Sequence, residues 1–163
     1  MIHYVFAMQR EADLFWRLAE GKVPKGETDV IGINAVDKKT YDDDAILMNV
    51  GYAGGYKVKV GSIIEPLYAV NAYTRDIKRI DSLFHVERKL CFTSDAFVTA
   101  PMVDYSVIYD MELFKIAEKP YKKLYSLKIV SDNLDETDCE KFNEADPWNR
   151  AIDLIAEYLK VKE

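Results

Sequence analysis

The sequence begins with a short apolar run that passes directly into a helical pattern. Residues 2–8 (IHYVFAM) are almost continuously apolar and rich in β-forming side chains, which is typical of a strand buried on both faces. Leu14 and Leu18 follow one helical turn apart, and Gly21 and Pro24 end that pattern. A buried strand that leads at once into a helix is the opening unit of an α/β fold, so we expect a sheet covered by helices.

The rest of the chain continues this alternation. Asp146 and Pro147 are typical of an N-cap and a first helical residue, and they predict the start of a closing helix. We therefore expect one domain, residues 1–163, with a three-layer α/β/α architecture and a mixed, largely parallel central sheet. The apolar and polar stretches predict strands at 28–36, 45–50, 62–70, 89–93, 107–109 and 124–130, a helix at 111–119, a glycine-rich bend at 51–55 and a loop at 131–146.

Charge, cysteine content and hydropathy argue against several classes of function. A net charge of −6 disfavours a nucleic-acid partner, because phosphate contacts need clustered Lys and Arg. No run approaches the roughly 20 apolar residues of a membrane span, and the first residues lack the pattern of a secretory signal. The two cysteines, Cys91 and Cys139, fit a reduced compartment, so we expect a cytoplasmic protein.

The sequence predicts no metal site. His3 and His85 lack ligand partners at metal-binding spacing, and structural or surface roles are expected for them. The acidic run at 132–140 lacks the glycine and the ligand spacing of a calcium loop. We expect neither a metal nor an organic cofactor.

Five short motifs, each at the end of a predicted strand, follow one another along the chain. They are AMQRE at 7–11, NVGYAGG at 49–55 with VGSI at 60–63 after it, TSDAF at 93–97, DME at 110–112 and IVSD at 129–132. In this order they resemble the motifs of 5′-methylthioadenosine/S-adenosylhomocysteine nucleosidases and their nucleoside phosphorylase relatives. The resemblance implies a nucleoside phosphorylase-like fold. It also implies a nucleosidase that cleaves the N-glycosidic bond of a purine nucleoside such as 5′-methylthioadenosine, S-adenosylhomocysteine or adenosine.

The resemblance further implies roles for individual residues. Asp132 and Glu11 would be catalytic: Asp132 would protonate N7 of the leaving base, and Glu11 would hold the nucleophilic water beneath the ribose. Glu112 would accept hydrogen bonds from the ribose hydroxyls. The other substrate contacts would come from Met111 on the sugar, Phe97 against the purine ring, the backbone of Val98 at the edge of the base, and Ala53, Gly54 and Ser131.

These residue types suit the reaction on chemical grounds. Breaking an N-glycosidic bond builds positive charge on the sugar and negative charge on the base. Carboxylates near the sugar and a carboxylic acid near the base therefore stabilise the transition state. The open carboxyl ends of the strands are where α/β sheets bind ligands.

Most of these residues also have a structural interpretation. Glu11 suits the N-terminus of a helix because of the helix dipole, and Phe97 and Met111 are residue types of a hydrophobic core. The glycines at 51–55 suit a turn, and Ser131 with Asp132 suits the start of a loop.

Departures from the family pattern bear on the activity. The segment before Asn49 that carries a Gly-Ile-Gly turn and a helix in the family is missing, and the segment from Phe97 to Met111 is shortened, so the chain resembles a shortened member. Tyr52 stands where the family has serine, and it would fill or cover part of the pocket. Arg10 is the only basic candidate near the first loop, which favours hydrolysis over phosphorolysis.

Two alternatives to a nucleosidase stay open. One is a phosphorylase that uses inorganic phosphate as co-substrate, and the other is a nucleoside-binding relative without catalysis. Because members of the resembled family complete their pockets from a neighbouring subunit, the resemblance also implies a homo-oligomer. The expected partner is a small-molecule nucleoside, with neither a nucleic acid nor a membrane.

Overall fold

The computed structural model describes residues 1–32, 38–135 and 143–160. Within these ranges no helix is both long enough and apolar enough to cross a membrane. The strands are β1 (Ile2–Phe6), β2 (Glu27–Val30), β3 (Ile46–Tyr56), β4 (Ile63–Asn71), β5 (Ile77–Arg79), β6 (Arg88–Thr93), β7 (Val107–Asp110) and β8 (Lys123–Asp132), and the helices are α1 (Gln9–Ala19), α2 (Leu113–Ala117) and α3 (Ala145–Tyr158).

The strands form one mixed sheet in which parallel pairs predominate, as predicted. β1 pairs in parallel with β2 and β3, β3 with β8, β4 with β6, and β6 with β7. The antiparallel pairs are β3 with β7, β4 with β5, and β4 with β8. The pairing β3–β8–β4–β6–β7 returns to β3, so these strands make a closed circuit.

The long strand β3 is the centre of this arrangement. One of its edges pairs with β8 along most of its length. Its other edge is shared, because Asn49 and the residues before it lie beside β1 whereas Gly54 and the residues after it lie beside β7. Strand β3 therefore joins β1, beside its first half, to β7, beside its second half.

Helices cover both faces of the sheet, which gives the predicted three layers. Helices α1 and α3 pack on one face, where Phe15 and Trp148 are fully buried among side chains of β1, β3 and β8. The short helix α2 lies on the other face, where Leu113 and Ile116 are buried. The amphipathic pattern that predicted α1 is thus explained by its packing on the sheet.

Two predictions about local structure are wrong at the ends of strands. The glycine-rich segment 51–55 is part of β3 instead of a bend, and Ser131 and Asp132 end β8 instead of starting a loop. In both places polar residues and glycines continue a strand because they pair with residues of a neighbouring strand. A local sequence pattern does not show this pairing.

Other element boundaries also differ from the predictions. Helix α3 begins at Ala145, so Asp146 lies in the first turn and is not the N-cap. The strand predicted at 28–36 begins at Glu27 and ends at Val30, and residues 33–37 lie outside the described ranges. The helix predicted at 111–119 is the shorter α2. Strand β5 was not predicted, because its three residues are all exposed and carry no apolar pattern.

The expectation that His3 lacks ligand partners is also wrong. Its Nδ1 atom lies 3.1 Å from Asp29 Oδ2 and 3.5 Å from Glu27 Oε2. These carboxylates belong to β2, which pairs with β1, so sequence spacing could not reveal them. Lys39 forms an ion pair with the same Asp29 at 3.3 Å, so this carboxylate also has a cationic partner.

Candidate active site

A cavity of about 370 Å³ lies at the carboxyl ends of β1 and β8, beside the second half of β3. It is formed by segments that follow β1 and β6, by the end of β7, and by the residue just before α3. All nine residues predicted to form the site line this one cavity: Glu11, Ala53, Gly54, Phe97, Val98, Met111, Glu112, Ser131 and Asp132. Their individual roles stay predictions.

Glu11 is held in the first turn of α1 with its carboxyl group buried. One oxygen, Oε1, accepts a hydrogen bond from the backbone N–H of Met8 at 3.0 Å, which caps the helix. The other oxygen, Oε2, accepts one from the backbone N–H of Tyr52 at 2.9 Å. Burial raises the pKa of Glu11, although the Tyr52 N–H and the nearby Lys128 charge act in the opposite direction. The carboxyl group is thus fixed at the cavity wall by β3 and α1 together.

Lys128 is fully buried and lies among several carboxyl groups. Its Nζ is 3.0 Å from Asp110 Oδ2 and also forms an ion pair with Glu112. It lies close enough to Glu11 to lower the pKa of that residue. A buried ammonium group requires such partners, because an isolated charge in the interior is strongly unfavourable.

The cluster contains more carboxyl groups than the single ammonium group can neutralise. Burial raises the pKa of Glu112 well above its usual value, and repulsion from Asp110 and Glu11 adds to this against the attraction of Lys128. Burial alone would also raise the pKa of Asp110, but Lys128 and hydrogen bonds from neighbouring groups together lower it. The pKa of Lys128 is raised because its carboxylate partners outweigh the effect of burial. The carboxyl groups of this cluster therefore titrate as a coupled set, in which burial and mutual repulsion raise the pKa of Glu112.

The glycines of β3 leave room for the acidic side chains. A Cβ atom on Gly51 would lie 2.8 Å from Glu11 Oε2, and one on Gly54 would lie 2.9 Å from Asp132 Oδ1. Cβ atoms essentially never come this close to another heavy atom. The glycine motif thus works by close approach within a strand, and the turn suggested by the sequence is not formed.

Asp132 reaches the cavity through an irregularity at the end of β8. The register between β3 and β8 shifts there, so that Ala53 is opposite Val130 and Gly54 is opposite Asp132. The extra residue, Ser131, makes a β-bulge, a feature that changes the direction of a side chain. Asp132 accepts hydrogen bonds from the Ser131 hydroxyl and the Leu134 backbone N–H, both at 2.9 Å. The carboxyl group is thus oriented by its immediate neighbours.

The far wall of the cavity is made by Tyr52 and the beginning of α3. The Tyr52 hydroxyl donates a hydrogen bond to Glu144 Oε1 at 2.8 Å and accepts one from Trp148 Nε1 at 2.8 Å. Glu144 also forms an ion pair with Arg10. Tyr52 therefore extends onto α3, and a cavity remains beside it.

Phe97, Val98 and Met111 provide the less polar part of the cavity. All three are half-buried, and Val98 packs against the cluster that contains Tyr109 and Leu134. A half-buried aromatic ring beside a carboxyl group is suited to stacking on a flat heterocycle.

Lys128, Asp110 and Glu144 belong to the site but were missed as site residues. A signal for Lys128 was present, since a lysine within a strand predicted to be buried needs a carboxylate partner. Asp110 was part of a recognised motif without a role of its own. Glu144 lay in a segment predicted as loop, and nothing in the sequence pattern singles it out.

No protein-family model and no curated protein matches the chain, whereas solved structures do. The MTAN of Chlamydia trachomatis, in a variant form bound to MTA, is 13% identical, covers 96% of this chain and 93% of that one, and has a TM-score of 0.68. The 5′-methylthioadenosine/S-adenosylhomocysteine nucleosidase of Neisseria meningitidis, in complex with methylthio-immucillin-A, is 18% identical, covers 96% of both chains, and also has a TM-score of 0.68.

A mutant futalosine hydrolase of Helicobacter pylori gives a similar result. It is 12% identical, covers 97% of this chain and 96% of that one, and has a TM-score of 0.66. These likenesses confirm the predicted fold, the mixed α/β fold of the nucleosidases and nucleoside phosphorylases. At such low identity the likeness is one of fold.

Proposed function

We propose that the protein is an enzyme that hydrolyses the N-glycosidic bond of a purine nucleoside of the 5′-methylthioadenosine, S-adenosylhomocysteine or adenosine type. The observation that carries this proposal is the meeting of Glu11, Glu112 and Asp132 in one cavity of a nucleosidase-like fold. The cavity volume, about 370 Å³, falls within the range of roughly 300–1,000 Å³ that is usual for small-molecule sites. The products would be the free base and the free sugar.

The reaction follows from the placement of the carboxyl groups. Asp132, which lines the same cavity as Phe97 and Val98, protonates the leaving base as the bond to the sugar breaks. Glu11 accepts a hydrogen bond from the attacking water and takes up its proton. Glu112 binds the ribose hydroxyls, and its position is fixed by Lys128. No metal or organic cofactor enters this scheme.

Hydrolysis is favoured over phosphorolysis by the charges around the cavity. Of the two cations among the described site residues, Lys128 is paired with Asp110 and Glu112, and Arg10 is paired with Glu144. A bound phosphate would have to displace a buried carboxylate from Lys128, which leaves only the exposed Arg10 of these two cations to bind it. Water requires no such exchange.

The test is release of free base from a panel of purine and pyrimidine nucleosides, each with and without phosphate. We expect release without phosphate, reduced about 10²- to 10⁴-fold by Asp132→Asn, the usual contribution of a general acid. The exposed Asp153→Asn, on the outer face of α3, is the matched control and should retain full activity.

Three other outcomes would change the proposal. Full turnover by Asp132→Asn would show that Asp132 is not the general acid. Release that requires phosphate would identify a phosphorylase. Tight nucleoside binding without release, at high protein concentration, would identify a binding protein.

Self-association and a cytoplasmic location are part of the same proposal. The resemblance to a family whose members share pockets between subunits supports self-association, and the buried free thiol of Cys91 is compatible with a reduced compartment. Light scattering of the purified protein would measure its molar mass against the 18.8 kDa of one chain.

A further inference from the structure

We infer that Glu144 selects nucleosides whose 5′ substituent carries a hydrogen-bond-donating or cationic group, such as an amine, over those with an anionic one. This inference rests on the proposed function, because it places the base and the ribose as described above. It concerns a residue to which neither the sequence motifs nor the mechanism gives a role.

The first step is the position of Glu144 relative to the substrate. Asp132 and Phe97 mark the end of the cavity proposed for the base, and Glu112 marks the place of the ribose hydroxyls. The ribose has one further substituent, at C4′, which lies on the ring face opposite the hydroxyls and across the ring oxygen from the base. Among the lining residues without a role so far, Tyr109 packs with Val98 at the base end and Ala96 adjoins Phe97. Those that remain for the 5′ substituent are Ala7, Met8, Arg10, Tyr52 and Glu144.

The second step is that the Glu144 carboxylate is held in place. It accepts a hydrogen bond from the Tyr52 hydroxyl, and that hydroxyl in turn accepts one from Trp148, each at 2.8 Å. Trp148 is fully buried in the core beneath α3. The carboxylate is therefore connected to the interior by two successive hydrogen bonds and is preorganised for a ligand.

The third step is that Arg10 is a weak competitor for this carboxylate. Its side chain is 68% exposed, whereas that of Glu144 is 28% exposed. Glu144 is the acidic partner that the structure gives to Arg10, and an ion pair with such an exposed arginine contributes little. A cationic group of the substrate would therefore replace Arg10, which would turn to solvent.

The remaining charges of the cavity act in the same direction. The carboxyl groups of Glu11, Glu112 and Asp132 line the cavity together with Glu144, whereas Lys128 is already paired behind them. An anionic 5′ group would meet a wall with an excess of acidic side chains. Repulsion of this kind contributes to specificity as much as attraction does.

The experiment compares base release from three adenosine analogues that differ only at the 5′ position: an amine, a methylthio group and a carboxylate. For the wild-type protein we expect kcat/KM for the amine to exceed that for the carboxylate by at least about tenfold, the effect of one charge-assisted hydrogen bond. Glu144→Gln should reduce this ratio about tenfold, mainly through KM of the amine. Arg10→Met should increase the ratio.

The matched control is Glu157→Gln, which changes an exposed glutamate on α3, the helix that Glu144 precedes, and should leave the ratio unchanged. The inference would be overturned if kcat/KM for the amine and for the carboxylate were nearly equal in the wild type, or if Glu144→Gln left their ratio unaltered. Release of base from any of the analogues would still support the proposed function. If no analogue releases base, the proposed function fails. In that case calorimetry would measure the affinities of the amine and the carboxylate analogues for the wild type and for Glu144→Gln. The ratio of the two affinities would then test the inference in place of the ratio of kcat/KM values.

Discussion

At the scale of single residues, Gly51 shows how closely the backbone of β3 approaches a proposed catalytic group. Its missing side chain leaves the space that Glu11 Oε2 occupies, 2.8 Å from where a Cβ atom would be. The Lys128 ammonium group would be 3.7 Å from the same point, an ordinary contact. The steric demand on this glycine therefore comes chiefly from Glu11.

Gly51→Ala should destabilise the protein by about 1–3 kcal/mol, the usual cost of forcing an extra carbon into a packed site. The same substitution made together with Glu11→Ala should cost much less, because the opposing oxygen is then absent. Urea unfolding of the wild type, the two single variants and the double variant measures this coupling. If Gly51→Ala costs the same with and without Glu11, the contact with Glu11 is not the reason for the glycine.

The sequence predicted which residues line the cavity better than it predicted what surrounds them. The nine predicted residues lie in or next to the five motifs, and most of these motifs are at strand ends, which meet at a common edge of a sheet. The motifs do not encode which groups lie behind these residues. Lys128 becomes a partner of Glu112 only because β8 and β7 both flank β3, and Glu144 joins the cavity through a hydrogen bond to Tyr52.

At the scale of secondary-structure elements, Tyr52 connects β3 with α3. The helix is amphipathic and would pack on the sheet without it, but the Tyr52 hydroxyl adds directed contacts to Glu144 and Trp148. The two rings also meet edge-on, with centroids 5.7 Å apart. The position of the helix N-terminus beside the cavity thus depends on a residue that, at the sequence level, was expected to fill or cover the pocket.

Tyr52→Phe should lower the free energy of unfolding by about 1–3 kcal/mol, because it leaves the buried Trp148 N–H without this acceptor. Tyr105→Phe is the matched control, since Tyr105 is 51% exposed, and should change stability by less than about 0.5 kcal/mol. Urea unfolding at neutral pH gives both values. Equal stability of the two variants would contradict the proposed connection.

The sequence predicted the elements that depend on a local pattern of residues, and it missed the features that depend on pairing with distant residues. Strand β1 and helix α1 follow from hydrophobic periodicity within a few residues. The continuation of β3 through 51–55 and the bulge at Ser131 depend on pairing with residues roughly 80 positions away. Glycine and polar side chains favour turns locally, and the partner strand overrides that preference.

At the scale of the whole molecule, the raised pKa of Glu112 makes the contribution of this one carboxyl group to stability depend on pH. Burial raises the pKa of Glu112 well above 4.5. A carboxyl group with a raised pKa in the folded state favours folding below its unfolded pKa, and this contribution is lost as the pH rises through the folded pKa. The Glu112 carboxyl group therefore contributes less to stability at high pH than at low pH.

Glu112→Gln should make the protein more stable relative to wild type at pH 8 than at pH 5. Glutamine resembles the protonated glutamic acid, so the variant avoids the loss described above, at about 1.4 kcal/mol for each unit by which the pKa is raised. Urea unfolding at both pH values, with Glu157→Gln as the exposed control, measures the difference. The quantity compared is the free energy of unfolding of Glu112→Gln minus that of the wild type. If this difference does not increase from pH 5 to pH 8, the raised pKa of Glu112 is contradicted.

The pairing of β3 with β8 also has a consequence during protein synthesis. Asn49 on β3 and Ser126 on β8 are register partners 77 residues apart, an interval that a ribosome adding roughly 5–20 residues per second crosses in about 4 to 15 seconds. During that time the new β3 has an edge without its partner. Glycine has a low tendency to form sheets, so Gly51, Gly54 and Gly55 make this edge a poor template for other chains. Gly51 and Gly54, which make room for carboxyl groups in the finished protein, thus also weaken this edge as a template for other chains before β8 is made.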